Sequence, residues 1–245
     1  MSAIVLAMAR SGQVQGFLPS IYGFHFVNSF PDEPDYEVDI PHVGKVPIGN
    51  ARNGLCGGMA YAACDYFHAQ QPAPPDDTPP AAGTPLFTYI AARLFDSFNL
   101  PSGVLTYYYW MNTPDHDTGF GPFTRAGVSS MTIKNELPKI LASIDAGNPM
   151  PLNLVQVASA NPGDLGKNHQ VLSYRYDIDD AQNLTLWVYD PNKSHDDADN
   201  AWLMLNLAHP DRATPITHTL GNTGDTVRGF FHGHYTPTAP PSTQT

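Results

Sequence analysis

The sequence predicts an α+β fold in which helices come first and antiparallel strands second. Two observations carry that expectation. Between Cys56 and Ala146 apolar residues recur at helical spacing, whereas from Leu152 onward the chain breaks into short runs rich in β-branched and aromatic residues, separated by turns. A third sets the scale: 245 residues, 42% of them hydrophobic, suffice for one large domain with a sizeable core.

The first helix opens at Cys56. Met59, Ala60, Ala63, Cys64 and Phe67 share a face over about four turns, to near Gln70. The proline-rich stretch Gln71–Gly83 is a surface loop, and a second helix runs from about Pro85 to Phe98 with proline near its first turn. Residues 104–111 form an aromatic segment, helix or strand, followed by a polar loop, 112–130. Thr132 to Ala146 is a third helix, closed by Gly147, in which Pro138 demands a kink or a late start. The strands are Leu152–Val157, Gln170–Asp177, Leu184–Tyr189, Trp202–Leu207 and Val227–Tyr235, with 179–183 as the tip of a hairpin joining the second and third. Residues 11–55 read as irregular, with Phe24, Phe26 and Phe30 as aromatic patches. The whole is one domain, 1–245: a helical part at about 50–147, a sheet part at 148–236 and a flexible tail at 237–245.

A net charge of −11 with no Lys/Arg cluster excludes nucleic acid and anionic membrane as partners, because like charges repel. No stretch reaches the roughly 20 apolar residues of a membrane span. The apolar run Ile4–Ala9 is short, lacks a basic leader and is closed by Arg10, so a cytoplasmic protein is the default, and signal-independent secretion remains compatible. Cys56 and Cys64 on one helix stand roughly 12 Å apart by helical rise, beyond the roughly 7 Å a disulfide spans. No C-x-x-C pair, phosphate loop or dinucleotide fingerprint is present, so neither metal nor cofactor is expected. Nothing in the sequence sets the oligomeric state.

The chemistry concentrates at Asn53-Gly54-Leu55-Cys56-Gly57-Gly58-Met59. A thiol with an ordinary pKa near 8.5 is mostly protonated at neutral pH, and only the thiolate is a good nucleophile. The positive end of a helix stabilises an anion, and a neighbouring histidine takes the proton. Cys56 stands at a helix start, and Gly54, Gly57 and Gly58 are expected to leave room for a substrate backbone. The blander reading, a buried small hydrophobe, suits Cys64 better. Of ten histidines, His169 begins an alternating strand, and the paired strand ends at Tyr189-Asp190-Pro191-Asn192. If those strands form the hairpin, Asp190, or Asn192 just beyond, lies beside His169 and can fix its tautomer. The competing reading is a core histidine and an ordinary Asp-Pro turn.

Cys56-Gly57-Gly58 opening a helix, His169-Gln170-Val171 on a strand, and Tyr189-Asp190-Pro191-Asn192 together resemble the papain-like cysteine peptidase superfamily, most closely its bacterial peptidase C39-like branch. The resemblance implies a papain-like fold, a helical lobe with the nucleophile helix packed against an antiparallel sheet lobe. It implies Cys56 as nucleophile, His169 as general base and acid, and Asp190 as orienting group, acting on an amide or thioester of a peptide or protein substrate through an acyl-enzyme. Those families carry a glutamine about six residues before the nucleophile to donate to the oxyanion. Asn50 occupies that position here, so Asn50, Asn53 or another donor is expected to fill the role. The alternative is a catalytically silent papain-like module binding a peptide or partner protein in the same cleft. A secreted effector using the same chemistry is a third possibility.

Other candidates weigh less. His232 and His234 share one strand face, but no third metal ligand has the right spacing. The acidic stretch 195–200 lacks the glycine and terminal glutamate of a calcium loop. His116 lies in a polar loop, and Tyr107–Trp110 suit core packing more than a subsite wall.

Overall fold

The computed structural model describes residues 9–30, 37–40, 44–47, 55–222 and 224–241. In chain order, β1 (Arg10–Gln13) and α1 (Pro19–Tyr22) precede a hairpin of β2 (Glu37–Ile40) and β3 (Gly44–Pro47). The helices α2 (Cys56–His68), α3 (Pro85–Phe98) and α4 (Ser102–Met111) follow. A short α5 (Val128–Ser130) then passes through a π-helical stretch, Met131–Glu136, into α6 (Leu137–Asp145). The remaining strands are β4 (Met150–Val155), β5 (His169–Ile178), β6 (Asn183–Tyr189), β7 (Trp202–Asn206), β8 (Thr217–His218) and β9 (Gly229–His232). They form one antiparallel sheet in the order β8-β7-β6-β5-β4-β9, to which β1 adds as a seventh strand against β5. The chain is thus α+β, with helices largely ahead of the sheet.

One local expectation needs correction and two open alternatives are settled. The N-terminal stretch is not irregular throughout: β1 pairs with the far half of β5, from Arg10 opposite Ile178 to Gln13 opposite Arg175, because β4 covers only the near half, Met150–Leu154 against Ser173–His169. Arg-Ser-Gly-Gln carries no alternating pattern, so the open edge of β5 dictates this strand rather than local sequence. The aromatic segment 104–111 is helix α4. At Pro138 the structure has the late start: α6 opens at Leu137 with the proline in its first turn. Proline has no N–H and crowds the carbonyl four residues back, and the π turn ending at Glu136 widens the backbone just ahead of it.

Helix α2 is the structural centre. Every residue from Gly57 to Phe67 is buried, including the single charged one, Asp65, so α2 is packed on all sides. One face (Ala60, Ala63, Cys64, Phe67) packs with α6 residues such as Ile140 and Ile144 against the sheet. The opposite face (Met59, Ala62, Tyr66) meets Ile90 and Leu94 of α3 and is capped by Phe24, Phe26 and Phe30 of the N-terminal segment. A Cβ at Gly58 would lie 2.1 Å from the Ile90 carbonyl oxygen, so glycine there is what lets α2 and α3 approach.

Two further features bear on the site. The β5–β6 register runs Leu172 opposite Tyr189 and Ser173 opposite Val188, then shifts so that Arg175 faces Trp187; Tyr174 is the extra residue of a β-bulge. Of the tail expected to be flexible, the first residues are pinned: Asp65, buried in α2, accepts from Thr238 N–H at 2.8 Å, Tyr235 Oη at 2.7 Å and Tyr89 Oη at 2.6 Å, and pairs with Arg93 Nε at 2.7 Å. Arg93 also donates to Thr236 O at 2.9 Å. No helix among the described residues is long and apolar enough to cross a membrane.

Candidate active site

Leu55 precedes α2 without a capping side chain of its own, and intrahelical bonding begins with Met59 N–H to Leu55 O. The N–H of Cys56 therefore lies outside the helical ladder, at the positive end of a 13-residue helix. The Cys56 side chain is half-buried and hydrogen bonds His169. His169 is the first residue of β5, and its Nε2 meets Asp190 Oδ1 at 2.7 Å. With Nε2 committed to the carboxylate, Nδ1 is the ring nitrogen left for the thiol.

The carboxylate is held as firmly as a buried charge requires. Asp190 is fully buried, and beyond His169 it accepts Asn192 N–H at 2.9 Å on Oδ1 and Gly221 N–H at 2.7 Å on Oδ2. Burial works against its charge, but the imidazole and these donors outweigh it and hold the carboxyl below its ordinary range. At His169 burial likewise opposes the charge. The Asp190 carboxylate, followed by Cys56, prevails and pushes the imidazole up to about 10. The arrangement favours an imidazolium beside sulfur at neutral pH.

The backbone of His169 is fixed too. Its carbonyl accepts Tyr107 Oη at 3.1 Å, and the Tyr107 hydroxyl is held protonated by burial and by its proximity to Cys56. Gln170, on the opposite face of β5, accepts Ser97 Oγ at 2.8 Å and donates to Asn153 Oδ1 at 2.5 Å. A Cβ on Gly57 would lie 1.6 Å from Gln170 Oε1. Gly57 and Gly58 therefore face inward, against β5 and α3. They do not open space for a substrate backbone, and the expectation that they would is overturned.

Asn192 was a candidate for orienting His169, but its side chain points elsewhere. Its backbone N–H serves Asp190, while its Oδ1 accepts Asn28 Nδ2 at 3.0 Å. Asn50, Asn53 and Gly54 lie outside the described residues. Asn28 and Gly221 are the partners that sequence reasoning missed. Each acts across more than 25 residues, and neither sits in a local pattern that marks it.

An open cleft of about 610 Å3 begins at His169 and Asn28 and is walled by Gln156, Asn168, Asn192 and Asp225. Several amide side chains contribute to its lining and are suited to hydrogen bonding a polar chain. A smaller cavity of about 200 Å3 lies beyond Tyr107, bordered by Glu136, His232 and His234. Those histidines share a face, but Glu136 accepts from both the backbone N–H and the ring of His232. Despite partial burial, that contact and Lys139 hold the Glu136 carboxyl down to about 2. Among the described residues no group of three or more His, Cys, Asp or Glu is arranged to hold a metal ion. The acidic stretch His195–Asn200 forms a short 3-10 turn in which Asp199 binds Ser20 N–H and Oγ at 2.9 and 2.7 Å. Comparison with known proteins finds no matching family model, no matching curated protein and no matching solved structure.

Proposed function

We propose that the chain is a cysteine hydrolase of papain-like arrangement, cleaving an amide or thioester bond of a peptide or protein substrate through Cys56, His169 and Asp190. The observation that supports this reading most is the continuous line from thiol to imidazole to buried carboxylate, set beside an open cleft. In the proposed reaction the thiol proton resides on His169 Nδ1 while Sγ attacks the carbonyl carbon. The carbonyl electron pair moves onto oxygen, and the Cys56 N–H supplies one donor to that oxyanion. Collapse breaks the bond to the leaving amine or thiolate, which takes the Nδ1 proton, and a thioester acyl-enzyme remains. Water then gives a proton to Nδ1 and attacks the thioester. Expulsion of the Cys56 thiolate releases the acid and restores the ion pair. Asp190 keeps the proton on Nε2 and steadies the imidazolium throughout.

Labelling by iodoacetamide and hydrolysis of a fluorogenic peptide library test the proposal together. Cys56→Ala is expected to abolish both, whereas Cys64→Ala spares both. Equal labelling of the two thiols at neutral pH in the folded protein would overturn the activated nucleophile. Peptide binding without turnover, in protein whose Cys56 is rapidly labelled, would favour the silent binding module instead.

A further inference from the structure

One side chain ties the residue before the nucleophile to the residues after the carboxylate. Asn28 belongs to the N-terminal segment, which Phe24, Phe26 and Phe30 seat in the core beside α2 and α3. Its backbone N–H donates to Pro191 O at 2.8 Å and its Nδ2 to Asn192 Oδ1 at 3.0 Å. Its Oδ1 accepts Leu55 N–H at 2.6 Å. Leu55 precedes Cys56, and Pro191 and Asn192 follow Asp190. Asn192 N–H in turn binds the same Asp190 oxygen that takes His169. A chain of hydrogen bonds thus runs Leu55–Asn28–Asn192–Asp190–His169, and the contact between thiol and imidazole closes it into a ring.

The helix cannot make this connection itself. Leu55 offers no capping side chain, and its N–H is outside the helical ladder. A side-chain amide suits the gap, because it accepts on one atom and donates from the other. Neither a carboxylate, with no donor, nor an ammonium, with no acceptor, would serve both neighbours.

We propose that Asn28 is a positioning residue for the Cys56–His169–Asp190 site: by bridging Leu55 and Asn192 it sets the separation of thiol and imidazole. The proposal rests on the cysteine-hydrolase reading above. Proton transfer needs the two heavy atoms within hydrogen-bond reach, and a displacement of about 1 Å costs on the order of 100-fold in rate.

The test is the rate of Cys56 alkylation by iodoacetamide across about pH 5 to 9, in full-length wild type, Asn28→Ala and Asn192→Ala, with each labelled site identified by mass spectrometry. Cys64 is an internal monitor of folding, since burial keeps it protonated in the native state. Wild type is expected to label at Cys56 near pH 6 far faster than a free thiol. Asn28→Ala is expected to slow that rate roughly 10- to 100-fold, with the rate near pH 9 changed by less than about twofold and Cys64 still protected. A merely structural role would alter thermal stability without bending this pH profile. Asn192→Ala, which keeps the bond from Leu55 to Asn28, is expected to give a smaller loss in the same direction. An unchanged profile in folded Asn28→Ala overturns the positioning role and leaves the hydrolase reading standing. Should Asn28→Ala expose Cys64, Asn192→Ala decides, and an unchanged profile there overturns the role. Wild-type Cys56 that labels near pH 6 no faster than a free thiol overturns both.

Discussion

Replacing Asp190 by asparagine changes almost no volume and removes one charge, which makes it the sharpest probe of the buried carboxylate. Asp190 receives three donors: His169 Nε2 and Asn192 N–H on one oxygen, Gly221 N–H on the other. Asparagine has one oxygen, so in either orientation its NH2 group faces a donor. With the oxygen toward His169, the NH2 meets Gly221 N–H. With the NH2 toward His169, the ring must give up the Nε2 proton, and Nδ1 then carries it and cannot accept from the thiol. The imidazole is raised from 6.5 to about 10 against the cost of burial, with Asp190 the foremost cause and Cys56 the next. At about 1.4 kcal/mol per pH unit this is about 5 kcal/mol in favour of the imidazolium. Removing one partner of a buried ion pair costs on the order of 3 kcal/mol, so the variant is expected to lose roughly 100-fold in kcat/KM and in Cys56 labelling near pH 6. A folded-state value raised above the ordinary one gives stability that is complete below about pH 6.5 and is lost as pH rises through about 10. The gap in melting midpoint between wild type and Asp190→Asn is therefore expected to be largest near pH 6 and to narrow toward pH 10. Labelling near pH 6 as fast as wild type, with a pH-independent gap, would refute the reasoning.

Three further outcomes are expected. Burial pushes the Cys64 thiol up to about 12, so in native Cys56→Ala it should resist iodoacetamide at pH 8 and become reactive in denaturant; rapid native labelling would show that the α2 core is open. Gly58→Ala should cost about 1–3 kcal/mol in urea unfolding, because its methyl meets the Ile90 carbonyl oxygen rather than a movable side-chain tip, and an unchanged midpoint would contradict the close helix approach. Arg93→Met should cost about 3–5 kcal/mol by leaving Asp65 buried without its ion pair, and should also expose the tail beyond Tyr235 to proteolysis; a tail still protected would mean that Tyr89, Tyr235 and Thr238 suffice to hold it.

What could be read in advance followed from short-range pattern. The α2 start at Cys56, α3 from Pro85 to Phe98, and the β5–β6 hairpin each carry their period or their punctuation locally, as Pro85 illustrates in the first turn of α3. The hairpin alone was enough to bring His169 and Asp190 together on paper. What escaped depends on distant partners. Strand β1 has no pattern of its own and exists because β5 is longer than β4. Asn28 is one of many polar residues in a loop until Leu55 and Asn192 arrive on either side of it. Gly57 and Gly58 were legible as special but not in their reason, since glycines beside a nucleophile suggest access while the packing of α2 asks for contact.

The bulge at Tyr174 has a consequence for this geometry that is one of parity. Beyond the bulge, paired positions on β5 and β6 sum to 362, as for Arg175 and Trp187; before it they sum to 361, as for Leu172 and Tyr189. The lower sum sets Asp190 across from Val171, an odd-numbered residue that shares a side of the strand with His169. The higher sum would set it across from Leu172, on the even side with Gln170. Holding Tyr174, five residues from the histidine, out of the ladder therefore decides which side of the sheet the carboxylate visits. Closing the bulge with Tyr174 kept in the ladder would pair it with Val188 and exchange the environments of His169 and Gln170 relative to Asp190, whereas deleting Tyr174 would leave Ser173 across from Val188 and the site in register.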